Sequence, residues 1–416
     1  MDYLPDIPRP TPAQAFLWRC GHRALSPGEL AELCASGRQL SVADWEQAGK
    51  LAGDEGMQSL LLHHTAAAGL LGDMPPEVAE SLLSAYRRDW IRNRHLRGEH
   101  ARVIRALSAA NIEIMPIKGV LLAERCYGEL ALRPILDLDL LVHRQDLLTI
   151  EALLGDLDYL PIYGNSRKFD FYELAYNALV FCGRDGEVIE LHWQLANLPA
   201  YLPRLAVEDL WRRAVPIQFA GLPVHGLSPS DELRYLCFHY AAQHQSERLI
   251  WLVDIAEMVN TLPAGWQWQA FVDETIELGL ATPVAVALDR AQNILGTHLP
   301  AGILPQLHQA STARRERAAW SAAAAVFRRP DSLLGYMLNQ SSAADRLTLT
   351  RALALRAVRR WRRQASAAMA RLLATTFGGF RTQGRGDSIP AIEPEEDDGS
   401  RVLPRQGFMV IGNGRD

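Results

Sequence analysis

The run Leu136-Asp137-Leu138-Asp139-Leu140, inside the apolar stretch from Ile112 to Val142, constrains this chain more than any other segment. Strict alternation of apolar and acidic residues is a strand pattern, because successive side chains leave a β-strand on opposite faces. The spacing predicts that Leu136, Leu138 and Leu140 face a core while Asp137 and Asp139 project together from the other side. Two like charges on one face cost free energy unless a cation lies between them. Hard dications are held by one or two carboxylates, with phosphate oxygens completing the shell. The segment therefore points to a metal–nucleotide site. An isolated acid pair also suits a solvent-facing sheet edge, so other residues must decide.

Two further signals favour the site. In Val188-Ile189-Glu190-Leu191-His192-Trp193, Ile189 and Leu191 alternate with Glu190 and His192, so the polar pair shares a face. If the two strands are neighbours, three carboxylates converge: Asp137, Asp139 and Glu190. Upstream, Ile117-Lys118-Gly119 lies between a short β-type run (Ile112–Ile117) and a helix start (Gly119–Cys126). Glycine at such a turn lets backbone N–H groups approach phosphate, and Lys118 adds a point charge for the β- and γ-phosphates. Only three lysines (Lys50, Lys118, Lys168) occur among 43 basic residues, which makes Lys118 a candidate for a position where arginine does not serve, although codon bias alone also produces such a ratio.

With these residues the chain resembles the uncharacterised bacterial nucleotidyltransferase-like family, a divergent branch of the DNA polymerase beta-like nucleotidyltransferase superfamily. The resemblance rests on Ile117-Lys118-Gly119 with Leu121 and Tyr127, on Arg133, on Asp137–Val142, and on Ile189–Trp193. It continues in Leu227-Ser228-Pro229, His239, His244, Arg248-Leu249 and Trp251–Asp254, and spans roughly residues 100–260. It implies a mixed sheet, a turn gripping triphosphate, a D-x-D strand and a third acid on a later strand. Here the turn reads Lys-Gly where superfamily members carry Gly-Ser. By this resemblance Asp137, Asp139 and Glu190 are the catalytic and metal-holding residues. Lys118, Gly119, Arg133, His192, His244 and Arg248 are expected on the nucleotide. Mg²⁺ or Mn²⁺ is the implied cofactor and an NTP the implied substrate. For His239, His244, Arg248 and Asp254 a plainer reading also stands, as core histidines and an Arg/Asp pair at a helix end. No cysteine or acid completes a zinc set around those histidines.

The rest of the sequence frames this core. Residues 1–110 read as helical, with Ser-x-x-acid capping boxes at Ser26–Glu29 and Ser41–Asp44. A long helix is expected over Pro76–Ala110, its apolar stripe made of Val78, Leu82, Leu83, Tyr86, Trp90, Leu96, Val103, Ile104 and Leu107. Residues 111–225 hold the small mixed α/β core. Within it, Gly183-Arg184-Asp185-Gly186 is a hairpin turn between Ala178–Cys182 and Glu187–Trp193. Residues 226–377 return to helix, opening at Ser228-Pro229, with further helices expected at 247–261, 267–295, 311–327 and 342–375. Residues 378–416 form an acidic tail expected to be disordered. The expected class is α+β, a nucleotidyltransferase-type core embedded between helical regions.

Composition narrows the setting. A net charge of −5 argues against general affinity for nucleic acid or anionic membrane, although the basic stretch Arg351–Arg371 suits an acidic partner or a membrane surface. Five scattered cysteines without a C-x-x-C pair, an N-terminus lacking an apolar h-region and no membrane-spanning run point to the reduced cytoplasm. The expected activity is metal-dependent transfer of a nucleoside monophosphate from an NTP to a hydroxyl. The acceptor is left open among small molecule, sugar, peptide, protein and RNA. The competing expectation is a catalytically silent nucleotide-binding or protein-interaction module with the same fold.

Overall fold

In the computed structural model the described residues are 7–162, 177–198, 200–244, 246 and 248–328. The expected helix at 342–375, the basic stretch Arg351–Arg371, the acidic tail and Lys168 lie outside them. Their architecture is α+β: a five-stranded mixed sheet lies between N-terminal and C-terminal helical regions. No helix among the described residues is long and apolar enough to cross a membrane. All five cysteines are unpaired.

The N-terminal helices are Pro12–Arg19, Pro27–Gly37, Val42–Glu55, Gln58–Ala67 and Pro76–Ala109. Both expected capping boxes form. Ser26 Oγ accepts the Glu29 N–H while Glu29 accepts the Ser26 N–H, and Ser41 and Asp44 do the same. A third box, Thr11 with Gln14, caps the first helix. The long helix Pro76–Ala109 forms as expected, but its inward stripe differs from the sequence reading. Leu83 is 38% and Trp90 45% exposed, whereas Asp89, Asn93 and His100 turn inward. The inward positions 82, 85, 89, 93, 96, 100, 103 and 107 keep helical spacing, so the polar members sit on the buried face by period, not by hydrophobicity.

Five strands make the sheet: β1 (Ile114–Ile117), β2 (Asp137–Val142), β3 (Leu160–Pro161), β4 (Ala178–Cys182) and β5 (Val188–His192). Their order is β1-β2-β5-β4-β3. β2 runs parallel to β5, and the other pairs are antiparallel. Gly183–Gly186 closes the β4–β5 hairpin as the sequence suggests. One face of the sheet carries Ile114, Leu138, Leu140, Val142, Leu179, Phe181, Ile189 and Leu191. It packs on Leu96, Val103, Ile104 and Leu107 of the long helix and on Leu147, Ile150 and Leu154 of the helix after β2. Fully burying one such aliphatic side chain contributes about 2 kcal/mol, so this layer fixes which face of β2 looks away from it. Leu136 departs from the expectation. The strand begins at Asp137, and Leu136, one residue before it, is 43% exposed.

A separate two-stranded hairpin, β6 (Val215–Phe219) and β7 (Leu222–Gly226), turns through Ala220 and Gly221. Both turn residues have positive φ, the geometry that matches strand twist. The C-terminal region comprises helices Pro229–Phe238, Leu249–Asn260, Trp268–Leu278, Ala281–Leu295, Ile303–Ser311 and Arg314–Arg328. Ser228 caps the first of them, accepting the Asp231 N–H, with Pro229 in the first turn. The single helix expected over 267–295 is two. Gly279 takes φ 77°, the left-handed conformation that ends a helix.

Candidate functional site

The site is set by register. Asp139 of β2 stands opposite Glu190 of β5, and Leu141 opposite His192. In a parallel pair, facing residues project to the same side, so Asp137, Asp139, Glu190 and His192 share the face opposite the apolar layer. The expected neighbourhood of the two acidic strands is thus present in the backbone. Asn93, an inward residue of the long helix, holds the approach to β2. Its amide donates to the carbonyls of Leu130 and Arg133, and its oxygen accepts the Ile135 N–H. Nothing in the apolar pattern of that helix singled Asn93 out.

Lys118 follows β1 directly with φ 53° and ψ −146°, and Gly119 has φ 33°. A non-glycine residue at positive φ is uncommon and carries strain, a feature that clusters at functional sites. The turn sends the lysine side chain inward. Its Nζ lies 2.9 Å from Asp139 Oδ1 and 5.9 Å from the centre of the Tyr235 ring. After Gly119 the chain makes one α-turn, Gly119–Leu122, which widens into a π-turn over Ala123–Tyr127. A Cβ on Gly119 would approach the Asp137 carbonyl at 3.5 Å, so the turn and the start of β2 are in contact.

Asp139 is the centre of the cluster. Its Oδ1 is 2.9 Å from Lys118 Nζ and 2.7 Å from His192 Nε2, while His192 Nε2 is also 3.4 Å from Glu190 Oε2. Burial disfavours the Asp139 charge, but Lys118 and His192 outweigh it and hold the carboxyl below its ordinary range. The same balance works in reverse for Lys118: burial opposes its charge, and Asp139 with Glu190 and Asp137 holds it protonated. His192 is raised because hydrogen bonds to Asp139 and Glu190 outweigh its burial. Asp137 moves the other way, pushed up to about 7 by burial and then by the charges of Asp139 and Glu190. One face therefore holds two aspartates with opposite proton preferences.

A helical layer lies around Lys118. Tyr235, His239, His244 and Trp251 form a chain of ring contacts, with His239–His244 centroids 4.5 Å apart and His244–Trp251 4.7 Å apart. The charge of Lys118 adds to burial in lowering both histidines, His244 to about 3, so both rings are neutral at pH 7. The Arg248 guanidinium sits 5.8 Å from the Trp251 ring centre. Arg133 has a different setting from the other expected nucleotide residues. It pairs with Asp254 through Nε at 3.2 Å and Nη2 at 2.8 Å, and its Nη1 donates to the Pro134 carbonyl. Tyr127 donates to the same Asp254 at 2.8 Å. That network ties the loop before β2 to helix Leu249–Asn260.

The structure thus brings together Lys118, Gly119, Asp137, Asp139, Glu190 and His192. His244 and Arg248 stand in the ring cluster beside them, and Arg133 is engaged with Asp254. Sequence reading missed Tyr235 and Asn93 as parts of the site. The donor set fits a divalent cation: ligand atoms of Asp139, Glu190 and His192 all lie within 4.8 Å of one another.

The sequence from residue 41 to residue 296 matches a family model described as "Uncharacterised nucleotidyltransferase". The match is wider than the stretch carrying the resemblance noted above, and takes in the helices Val42–Glu55, Gln58–Ala67 and Pro76–Ala109 that precede the sheet. Among solved structures, an antigenic nucleotidyltransferase-like protein from Paracoccidioides brasiliensis is similar over 50% of this chain and 95% of its own. Its sequence identity is 16% and its TM-score 0.31. No curated protein matches the chain.

Proposed function

The chain belongs to the uncharacterised nucleotidyltransferase family, and from that premise we propose that it transfers a nucleoside monophosphate from an NTP to an acceptor hydroxyl. The observation that carries this reading is the pairing of Asp139 with Glu190 across parallel strands, with Lys118 held inward at the adjoining strained turn. A divalent ion, Mg²⁺ or Mn²⁺, bound between these carboxylates would polarise the α-phosphate and offset charge on the leaving pyrophosphate. Asp139 and Glu190 are the residues to hold it, and Asp137 borders them on the same strand face.

The chain's own groups do the rest. Lys118, the ammonium paired with Asp139, is the charge available to the β- and γ-phosphates when a triphosphate enters. Gly119 keeps the turn free of a side chain where phosphate would approach. Glu190, less buried than Asp139, takes the proton of the acceptor hydroxyl as its oxygen attacks the α-phosphorus. The new bond is acceptor oxygen to phosphorus, the broken bond is phosphorus to the bridging oxygen, and pyrophosphate leaves. His244, Arg248 and Trp251 offer ring and guanidinium surfaces for the base. Acceptor classes consistent with this chemistry are small molecules, sugars, peptides, proteins and RNA.

A second reading, a catalytically silent nucleotide-binding module of the same fold, draws on one observation. The turn carries lysine instead of Gly-Ser, and that lysine already neutralises the central aspartate. Incubation with each of the four NTPs and Mg²⁺ or Mn²⁺ separates the two. Pyrophosphate release and an acceptor mass increase of one nucleoside monophosphate support transfer. NTP binding without either product supports the silent module.

A further inference from the structure

We infer that His192, not Asp137, is the third protein ligand of the cation at this site, and that the site therefore favours a first-row transition dication over Mg²⁺. The inference takes the site's purpose from the nucleotidyltransferase reading, but it concerns binding and is tested without turnover.

An ion bonded to its ligands at about 2.1 Å holds two cis ligands about 3 Å apart. His192 Nε2 lies 2.7 Å from Asp139 Oδ1 and 3.4 Å from Glu190 Oε2, which brackets that separation. The three donors come from two in-register strands whose positions are fixed by the apolar layer behind them, not from loops. Glu190 and His192 are two residues apart on β5, so the pleat sends both to the same side. Asp137 has the same relation to Asp139 along β2, yet it is not one of the three converging donors. It lies instead against the Lys118-Gly119 turn.

Chemistry then sets the ion. Mg²⁺ dehydrates reluctantly and takes oxygen ligands in near-ideal octahedra. An imidazole in the shell favours transition-series ions, in the order Mn²⁺ below Co²⁺. Two carboxylates and one imidazole make a mixed set of that kind. His192 is 3% exposed, and among the described residues its polar partners are Asp139 and Glu190, both met through Nε2. Lys118 occupies the remaining side of Asp139 Oδ1 and competes with any added cation.

The test uses the full chain and the metals alone. Calorimetric titration with Mn²⁺ and with Mg²⁺ should show tighter Mn²⁺ binding. His192→Gln, which keeps a donor for Asp139 but no imidazole nitrogen, should weaken Mn²⁺ at least about tenfold and leave Mg²⁺ much less affected. Asp137→Asn should weaken Mn²⁺ less than His192→Gln does. Lys118→Met should tighten Mn²⁺ by removing the competing ammonium. Pulsed electron paramagnetic resonance of Mn²⁺ on the wild type should show coupling to a nitrogen nucleus, retained in His95→Ala and lost in His192→Gln. That measurement stands even if a variant folds poorly. The inference is overturned by absent nitrogen coupling, by no Mn²⁺ binding to the wild type, or by Mn²⁺ affinity that follows Asp137 instead of His192. Transfer supported by Mg²⁺ and indifferent to His192→Gln would overturn this inference and keep the proposed function. Nitrogen-coupled Mn²⁺ without transfer from any NTP would do the opposite.

Discussion

Strand β5 has a trio of potential ligands at each end, and the two trios differ in what holds them. At the C-terminal end are Glu190 and His192 with Asp139. At the N-terminal end are Asp185 and Glu187 with His95 of the long helix, again with ligand atoms within 4.8 Å of one another. By residue type the two are the same, two carboxylates and an imidazole. The second trio is explained by its turn. Glu187 Oε2 accepts the Asp185 N–H, Oε1 meets His95 Nε2 at 2.7 Å, and a Cβ on Gly183 would stand 2.5 Å from Glu187 Oε2. His95 is half-exposed, and the cation paired with this trio's turn is the exposed Arg184, on Asp158. The first trio has no such local account. Its members come from two strands paired in register, its centre is buried, and a positive-φ lysine is aimed at it. Matching residue types do not make a site; the cost the fold bears to assemble them is the better guide.

Breaking the first trio should have the largest effect. Asp139→Asn keeps shape and removes the charge shared by Lys118 and His192, and should lower nucleotidyl transfer by roughly three orders of magnitude. Steady-state pyrophosphate release measures it, with circular dichroism to show an intact fold. Transfer at wild-type rate would mean that the first trio is no more a site than the second.

Lys118→Ala comes next. A charge-assisted contact to phosphate contributes about 1.5–3 kcal/mol, or roughly 10- to 100-fold in affinity. The loss should be greatest for ATP, smaller for AMP and near zero for adenosine, by titration of each ligand. Equal losses for all three would assign the lysine to structure alone.

What the sequence made legible follows the same division. Period-two alternation exposed both strands and the polar face of each, because a core on one side enforces it. The hairpin turn and the helix caps were legible because their chemistry is local, in Gly183–Gly186, Ser26, Ser41 and Ser228. The parallel register of Asp139 on Glu190 was not, since it depends on a connection that spans β3 and β4. Nor was the inward course of Lys118, which needs a backbone conformation that lysine rarely adopts. Leu136 was misplaced because alternation does not say where pairing stops. Asn93 and the pairing of Arg133 with Asp254 were hidden for a third reason: a buried polar residue looks like a surface one until its partners are known.

The site face of β2 and the hairpin end of β5 should also differ in how stability follows pH. The folded-state pKa of Asp137 is raised to about 7, so its ionisation penalises the fold. That penalty is absent below the unfolded carboxyl range, grows as pH rises through it, and is complete above about 7. Asp137→Asn should therefore stabilise the metal-free protein at pH 8, by about 1 kcal/mol or more, and change little at pH 4. Denaturant midpoints at the two pH values read this directly. A constant difference would show that the raised Asp137 is not borne by the fold.

Glu187 should give the opposite sign and the smallest effect. Hydrogen bonds from His95 and from the Asp185 backbone outweigh its burial and hold its carboxyl below the ordinary range. A lowered folded-state pKa contributes stability that is present above the unfolded value and lost as pH falls through the folded one. Glu187→Gln keeps an oxygen for the Asp185 N–H and removes the charge facing His95, which is half in water and worth little as an ion-pair partner. The variant should be destabilised by less than about 1 kcal/mol at pH 7, with the gap to wild type closing under acid conditions. Nucleotidyl transfer should be unchanged, because nothing at this end of β5 faces Lys118 or Asp139. Paired denaturation curves and a transfer assay on the same preparation make the measurement. If Glu187→Gln impaired transfer as Asp139→Asn does, the hairpin end of β5 would have to be counted within the site, and the contrast between the two trios would fail.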